Sequence, residues 1–190
     1  MRIPALLLSS LLAFPALSAW QLDNNQSTIN FVSTKKGDIA EIHKFDNISG
    51  AINEDGKVTF TIDLASVNTG IGIRDERMAE FLFETSKFTS ATFTTTIDLA
   101  FIKGMPKGVQ KQVPIEGEIS LHGKTQTVKT LVQVVKLTRD RLLVNSTKPL
   151  ILNAAQFDLT AGVTKLKELA GLPSISNAVP VTFNLTFADK

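Results

Sequence analysis

Residues 57–64 read KVTFTIDL, in which apolar and polar side chains alternate at every position. Because successive side chains of a β-strand point to opposite faces of the sheet, this alternation predicts a strand with one buried face and one face in water. The same pattern recurs in residues 91–99, 113–121 and 179–187. It favours an antiparallel sheet, the type that commonly has one solvated face.

Further segments with strand character bring the expected number of strands to about eight. They are residues 28–33, 40–45, 125–138 and 141–152. We expect a closed barrel rather than an open sheet, because closure removes the exposed strand edges. A barrel of about eight strands is either filled by its own side chains or holds one small ligand. The periodicity does not distinguish these two interiors.

Two segments depart from the strand pattern and predict short helices. Residues 74–84 contain three side chains with the spacing of one helical face: Met78, Phe81 and Leu82. Residues 163–170 show a similar spacing, and Gly171 is suited to end the helix. The predicted fold class is therefore all-β: one antiparallel barrel of about eight strands with two short covering helices.

Composition and charge exclude several classes of function. The chain has 190 residues, with 20 Lys and Arg, 18 Asp and Glu, and no Cys. The resulting net charge of +2 offers no basic surface for nucleic acid. Without Cys there is no disulfide framework, thiol nucleophile, iron–sulfur cluster or lipidated Cys.

Residues 1–19 have the composition of an export signal. Arg2 supplies a positive charge, residues 3–17 are mostly apolar, and Leu17-Ser18-Ala19 offers a cleavage site. The apolar run is shorter than the roughly 20 residues that a membrane-spanning helix needs. We therefore expect a signal peptide that is removed after residue 19, which leaves residues 20–190 as one exported, soluble domain.

No set of side chains has the spacing of a catalytic or metal site. His43 and His122 lack the nearby ligands that metal binding requires, and we expect both at surface or hairpin positions. Glu116 and Glu118 share the outward face of a predicted strand, which favours a solvated surface over acid–base catalysis. No G-x-S-x-G or dinucleotide-binding motif occurs. The sequence predicts no enzyme activity, no catalytic residue, no cofactor and no metal.

The remaining candidates for function are apolar side chains on the predicted inward face. Twelve Phe residues occur, of which Phe14 lies in the predicted signal. Taken singly, each inward Phe fits a filled core better, but together they also fit the lining of a long apolar tunnel. The candidate ligand-binding residues are Phe31, Phe60, Ile62, Phe81, Phe83, Phe93, Ile97, Ile119, Leu121 and Phe183.

Five segments carry motifs beyond simple alternation. They are WQLD at residues 20–23 with STINF at 27–31, VNTG at 67–70 with RDERM at 74–78, FTSATF at 88–93, IEGEISLHG at 115–123, and the closing strand at 181–187. In this order they resemble the YceI-like family of exported lipid- or polyisoprenoid-binding proteins. The resemblance implies a lipocalin-like barrel that holds an amphiphile with a long isoprenoid or acyl tail, in a mainly periplasmic, non-enzymatic protein.

The sequence departs from the family pattern at two places. Thr34-Lys35 stands where a Lys-His pair is frequent, and Ala154 stands where an Arg is frequent. Any head-group contact that those family residues make is therefore not transferred to this chain. Tail binding transfers more safely, because it needs only an apolar lining.

Our leading hypothesis is a periplasmic protein that sequesters or carries an isoprenoid amphiphile of the quinone or polyprenyl type in an apolar barrel interior. Its partner is this amphiphile and not a nucleic acid, while transient membrane contact and a homodimer are both compatible with the sequence. The alternative is a filled barrel that acts as a structural or stress-related interaction protein without ligand. A third hypothesis is an enzyme that acts on a lipid through His122 and carboxylates such as Glu118.

Overall fold

The structure is a computed structural model, and it describes residues 18–189. Most of the predicted export signal falls on residues 1–17, which lie outside the described residues. The last two residues of that predicted signal, Ser18 and Ala19, belong to the first strand. Removal of the signal after residue 19 stays a prediction.

Twelve strands form one sheet in the described part of the chain. In chain order they are β1 (Ser18–Leu22), β2 (Thr28–Lys35), β3 (Ile39–Phe45), β4 (Ile48–Asn53), β5 (Lys57–Asp63), β6 (Val67–Asn68), β7 (Ser90–Thr96), β8 (Gln110–Leu121), β9 (Lys124–Lys136), β10 (Arg141–Ser146), β11 (Leu150–Asn153) and β12 (Ala178–Asp189). The helices are α1 (Gly72–Arg77), α2 (Leu99–Gly104) and α3 (Thr160–Leu169). A π-helical turn, Met78–Leu82, continues α1, and 3-10 turns lie at Asn24–Gln26, Leu64–Ser66 and Ala154–Phe157.

Eight of these strands close into a ring, in the order β1, β4, β5, β7, β8, β9, β10, β12. The ring closes because β1 pairs with β4 along one edge and with β12 along the other, where Trp20 lies opposite Asp189. Every strand pairing within residues 18–189 is antiparallel. The predicted all-β antiparallel barrel is confirmed.

The N-terminal half of β12 extends the sheet beyond this ring. There β12 pairs with β2, and β3 and β6 follow in order on the far side of β2. Along its other edge the same half of β12 pairs with β11. Different strands therefore build the barrel wall at its two ends: β1 and β10 beside one half of β12, and β2 and β11 beside the other half.

The strand predicted at residues 91–99 ends earlier than expected, because Leu99 begins helix α2. The Asp98 side chain accepts a hydrogen bond from the Phe101 N–H at 3.0 Å, which caps the first turn of this helix. Leu99 and Ile102 are buried on one helical face. Ile97 and Leu99 still fit the alternation of the preceding strand. The sequence pattern therefore did not reveal that a helix begins at Leu99.

Both predicted covering helices are present, and α2 is an additional one. The helix predicted at residues 74–84 begins at Gly72 as α1 and continues as the π-helical turn. The helix predicted at residues 163–170 is α3, after which Gly171 adopts a φ of 61° that ends the helix. None of the helices in the described chain is long and apolar enough to cross a bilayer.

Helical segments close both ends of the barrel. At one end, called the α2 end, the buried side chains of Leu99, Ile102 and Met105 pack against the core. The buried Lys136 of β9 donates a hydrogen bond from Nζ to the Lys103 carbonyl and so fixes the C-terminal turn of α2. The π-helical turn, α3 and the turn Ala154–Phe157 pack together over the opposite end, called the α3 end.

Gly117 of β8 allows a close approach by the ring of Phe93 on the neighbouring strand β7. A Cβ atom built on Gly117 would lie 2.5 Å from two carbons of the Phe93 ring and 2.6 Å from the Thr94 carbonyl oxygen. These distances are far below van der Waals contact. The position therefore requires glycine for reasons of space, and the absence of a side chain there sets where the Phe93 ring lies inside the barrel.

The substitution Gly117→Ala should destabilise the barrel by about 1–3 kcal/mol, because the added methyl group displaces the Phe93 ring or the strand. Urea unfolding followed by circular dichroism measures this change. The control is Gly72→Ala in α1, where an added Cβ meets no atom within 4 Å, and where we expect a change within about 0.5 kcal/mol. Equal stability of the two variants would contradict the close approach at Gly117.

Candidate functional site

The barrel encloses a cavity of about 530 Å³. This volume lies within the range of about 300–1,000 Å³ that is typical of small-molecule sites. Most strands of the sheet contribute side chains to its wall, together with α2 and residues around α3. The interior is therefore hollow, and the filled-barrel hypothesis does not describe it.

The wall of the cavity is almost entirely apolar. Its few polar members are Thr92, Thr95, Thr96, Asp98, Thr130 and Asn153. All other lining positions carry aliphatic or aromatic side chains. Such a wall excludes water and offers dispersion contacts but few hydrogen bonds. It suits a hydrocarbon better than a polar ligand.

The lining residues of β12 show how long the cavity is. They run from Val179 to Phe187, eight residue steps that correspond to about 26 Å along the strand. With strands tilted by about 40°, this distance spans roughly 20 Å along the barrel axis. Phe101 lines the cavity at the α2 end, and Leu159 and Val163 line it at the α3 end. The cavity is a tunnel, and it has the proportions of an extended chain.

Nine of the ten predicted ligand-binding residues lie in the wall of this tunnel. They are Phe31, Phe60, Ile62, Phe83, Phe93, Ile97, Ile119, Leu121 and Phe183. The alternation of the strands therefore assigned the inward face correctly at eight of these positions, whereas Phe83 follows the π-helical turn. That these residues contact a ligand stays a prediction.

Phe81, the tenth predicted residue, does not line the tunnel. A regular α-helix would align it with Met78 and Leu82, but here the Phe83 N–H donates to the Met78 carbonyl, five residues back, at 2.9 Å. The wider π-helical turn brings Leu82 and Phe83 into the wall and leaves Phe81 out of it. The Phe81 ring lies instead 5.8 Å from Lys165 Nζ of α3.

Several lining residues are not among the candidates predicted from the sequence. Phe101 lines the tunnel from α2, which the strand pattern concealed. Phe157 is 1% exposed and lies in the 3-10 turn after β11, where the sequence carries no periodic signal. Leu150 and Leu152 line the tunnel from β11. Their spacing of two residues inside a predicted strand was a signal that could have identified them.

His43 is buried behind the tunnel wall, so the expected surface position was wrong. Its side chain is 3% exposed, and its ring meets the ring of the lining residue Phe31 edge-on, with centroids 5.3 Å apart. Nε2 lies 3.2 Å from Ser33 Oγ, whereas Nδ1 has no hydrogen-bond partner in the described part of the protein. Burial lowers the pKa of His43, and the nearby charge of Arg74 lowers it further. The ring is therefore mostly neutral near pH 7.

An ionic network joins α1 to β3. Glu41 Oε2 lies 2.8 Å from Lys35 Nζ and 2.6 Å from Arg74 Nη1. These hydrogen bonds, the one from Lys35 above all, hold the pKa of Glu41 below its usual value. Arg74 also donates to the Thr69 carbonyl at 2.7 Å, and Asp75 accepts a hydrogen bond from the Thr69 N–H at 2.8 Å. The segment that carries Thr69 and Arg74 therefore anchors the start of α1 to the sheet.

His122 links three segments at the α3 end. Its Nε2 lies 2.9 Å from Glu84 Oε2, and its Nδ1 lies 3.2 Å from the Phe157 carbonyl oxygen. The imidazole also packs against Phe88, with ring centroids 4.4 Å apart. Each ring nitrogen therefore faces an oxygen that accepts hydrogen bonds. Glu118 is exposed on the outer face of β8; the two groups of the lipid-enzyme hypothesis therefore do not come together.

Few groups with chemical reactivity meet in the structure. Within residues 18–189, no three His, Asp or Glu side chains gather in a way that could hold a metal ion. The network around Glu41 and the contacts of His122 join covering segments to the barrel. The absence of an enzyme activity, a cofactor and a metal stays a prediction from the sequence.

Comparison with known protein families identifies this arrangement. A family model for the YceI-like domain matches residues 20–187. The chain belongs to the YceI-like family. The match runs from β1 to β12 and so covers the whole ring, which confirms the resemblance seen in the sequence motifs.

Solved structures share the fold. A polyisoprenoid binding domain from Saccharophagus degradans, implicated in plant cell wall breakdown, is 40% identical, with a TM-score of 0.90 over 92% of this chain and 100% of that domain. BcnA from Burkholderia cenocepacia is 20% identical, with a TM-score of 0.68 over 87% of this chain and 98% of that one. A YceI protein from Campylobacter jejuni is 16% identical, with a TM-score of 0.57 over 78% and 84%; these two show the fold alone. Comparison with curated protein sequences gives no match.

The lowered pKa of His43 predicts a loss of stability in mild acid. Its folded pKa lies below the usual 6.5, so between these two values the unfolded chain binds a proton that the folded chain does not. Stability should therefore be complete above about pH 6.5 and fall as the pH decreases below it. Urea unfolding at about pH 7.5 and about pH 5.5 measures this fall while most carboxylates stay ionised. His43→Gln should lose less stability over this interval, and an equal loss would contradict the assignment to His43.

Proposed function

We propose that this protein binds an isoprenoid amphiphile, of the quinone or polyprenyl type, and holds its tail in the barrel. The observation that carries the proposal is the apolar tunnel of about 530 Å³ along the barrel axis. The Saccharophagus degradans domain, with 40% identity, is a polyisoprenoid binding domain, which supports the same ligand class here.

The tunnel wall alone supplies most of what tail binding requires. Each buried methylene group contributes roughly 0.8 kcal/mol, so several isoprene units give a large favourable term without polar recognition. Association itself costs about 4–15 kcal/mol, which offsets part of this gain. Because the cavity is already formed in the ligand-free protein, few side chains need to be ordered when the tail binds. Specificity then depends on tunnel length and on the few polar lining positions.

We further propose that the protein acts after export to the periplasm, as a carrier or scavenger rather than as an enzyme. The signal-like composition of residues 1–19 supports export. In an aqueous compartment between two membranes, a free isoprenoid tail would be exposed to water, and enclosure in a barrel removes that exposure. The contacts of His122 with Glu84 and Phe157 support a non-enzymatic role, because they use both ring nitrogens to join segments of the fold.

Organic extraction of the purified protein, followed by mass spectrometry, tests the proposal directly. Protein purified from its native source should release an isoprenoid compound in near-stoichiometric amount. The ligand-free protein should then bind a long-chain polyprenyl quinone on titration. Absence of any bound isoprenoid together with absence of binding on titration would contradict the proposed function.

Filling the tunnel should weaken binding. Val144 of β10 lines the cavity, and the adjacent Leu143 lies on the opposite face of the same strand. Val144→Phe places a ring in the tunnel and should weaken binding of a long-chain polyprenyl quinone by about tenfold or more. The matched control, Leu143→Phe, should change the affinity by less than about twofold. Trp20, the one tryptophan of the chain, reports binding by fluorescence; equal affinities of the two variants would argue against a ligand inside the barrel.

Affinity should rise with tail length and then level off. Each added isoprene unit buries further apolar surface until the tunnel, roughly 20 Å long, is full. Units beyond that length stay in water and contribute nothing. Titration with a series of quinones that differ only in their number of isoprene units measures this dependence. A head-group site without a tail tunnel would instead give affinities that do not depend on tail length.

A further inference from the structure

Strands β10 and β11 follow one another along the same edge of β12, but a bulge separates them. Asn145 of β10 lies opposite Asn184, and Leu150 of β11 lies opposite Val181. The four residues between Asn145 and Leu150 therefore face only two residues of β12, an excess of two. Pro149 lies in this excess and has no N–H with which to continue the pairing.

Beyond this bulge the barrel wall separates. β9 pairs with β10 only from Val132 to Lys136, and its preceding residues, 124–131, pair with β8 alone. β11 pairs with β12 alone. Among the strands of the described chain, none bridges β9 and β11. We call this gap the lateral window; residues 126–131 of β9 and Leu150–Asn153 of β11 form its two sides.

Hydrogen bonds close the lateral window at its top and bottom. Beside the bulge, Thr147 Oγ1 donates to the Leu131 carbonyl at 2.7 Å. At the α3 end, Gln126 Nε2 donates to the Gln156 carbonyl at 3.1 Å. Residues 126 and 131 are about 17 Å apart along the strand. The window is therefore a long slit rather than a round opening.

The lateral window borders the tunnel directly. Val128 and Thr130 on one side, and Leu150 and Leu152 on the other, line the cavity and are half-buried. Paired strands lie about 4.8 Å apart and seal a wall through their backbone hydrogen bonds. In the lateral window, side chains rather than backbone hydrogen bonds separate the tunnel from solvent. Rotamer changes of exposed side chains are much faster than the opening of a hydrogen-bonded sheet.

Buried groups close both ends of the barrel, and at the α2 end they leave the neighbouring Phe101 ring 44% exposed. At the α2 end, Leu99, Ile102 and Met105 are buried. At the α3 end, Phe157 is 1% exposed, and its carbonyl is bound by His122. Passage of a tail through either end would require these buried contacts to break. Well-buried regions of a protein open locally least often.

We propose that the isoprenoid tail enters and leaves the tunnel sideways, through the lateral window. This inference rests on the proposed function and adds the route by which the ligand reaches its site. Sideways passage moves each part of the tail across one layer of side chains, whereas passage through an end would draw the whole tail along the tunnel. The half-buried leucines on the edge of β11 rotate to admit the tail and then cover it.

Site-selective labelling tests this route, because the chain has no Cys. Ile151→Cys, labelled with a bulky polar maleimide, covers the lateral window from outside, because Ile151 of β11 is 58% exposed and does not line the tunnel. Ala100→Cys, labelled in the same way, blocks the competing route at the α2 end, where the neighbouring Phe101 lines the tunnel and is 44% exposed. Ser49→Cys, on the exposed outer face of β4, controls for the label itself.

The measured quantity is the rate at which each protein takes up a long-chain polyprenyl quinone from phosphatidylcholine vesicles, followed by quenching of Trp20 fluorescence. Labelling of Ile151→Cys should slow uptake by about tenfold relative to the same variant without label. Labelling of the Ala100 and Ser49 variants should change their rates by less than about twofold. An unchanged rate after labelling at 151, or a block after labelling at 100, would overturn the lateral route.

Failure of the proposed function would have a different signature. In that case the native protein and every unlabelled variant would fail to bind the quinone, whatever the time allowed. Thermal unfolding of each labelled protein shows whether it is still folded. If labelled Ile151→Cys unfolds, Lys129→Cys on the exposed outer face of β9 provides a second position beside the same window, with the same expected slowing and the same contradicting result.

Discussion

Closure of the sheet at eight strands sets the radius of this barrel, and its other features depend on that radius. Eight strands enclose an interior that large inward side chains would just fill, or that holds one small ligand. The inward face here includes the small side chain of Ala91, which lines the cavity and leaves space along the axis. The short strand β1 completes the ring by pairing along both of its edges. Without β1, the edges of β4 and β12 would be unpaired there and the ring would stay open.

The polar motifs and the tunnel wall use different residues. Thr69, Arg74 and Asp75 fix the start of α1, and His122 joins the hairpin between β8 and β9 to two covering segments. The wall, in contrast, is built from dispersed apolar side chains of almost every strand. The polar residues of the YceI-like motifs therefore stabilise the closure of the barrel. Apolar residues of the same motifs, such as Phe31 and Phe93, line the tunnel.

The sequence predicted the strands well because burial on one face of a sheet leaves a period of two that few other structures produce. That rule identified eight lining residues, but it failed where the backbone changed. Ile97 and Leu99 continue the alternation although β7 has ended, and Phe81 left the wall because a π-helical turn changed the helical period. The burial of His43 was not predicted, because a single polar residue among apolar inward positions does not fit the alternation. Whether the barrel is hollow depends on its radius, which no local pattern encodes.

The pairing of β1 with β12 also constrains how the molecule folds. Trp20 and Asp189 lie side by side, although 169 residues separate them along the chain. The ring therefore closes only after nearly the whole chain is available, and such non-local contacts slow folding. The tunnel does not exist before that step, so ligand capture must follow the completion of folding. The proximity of the first and last strands also makes this barrel a good starting point for circular permutation, with new termini opened at an exposed turn.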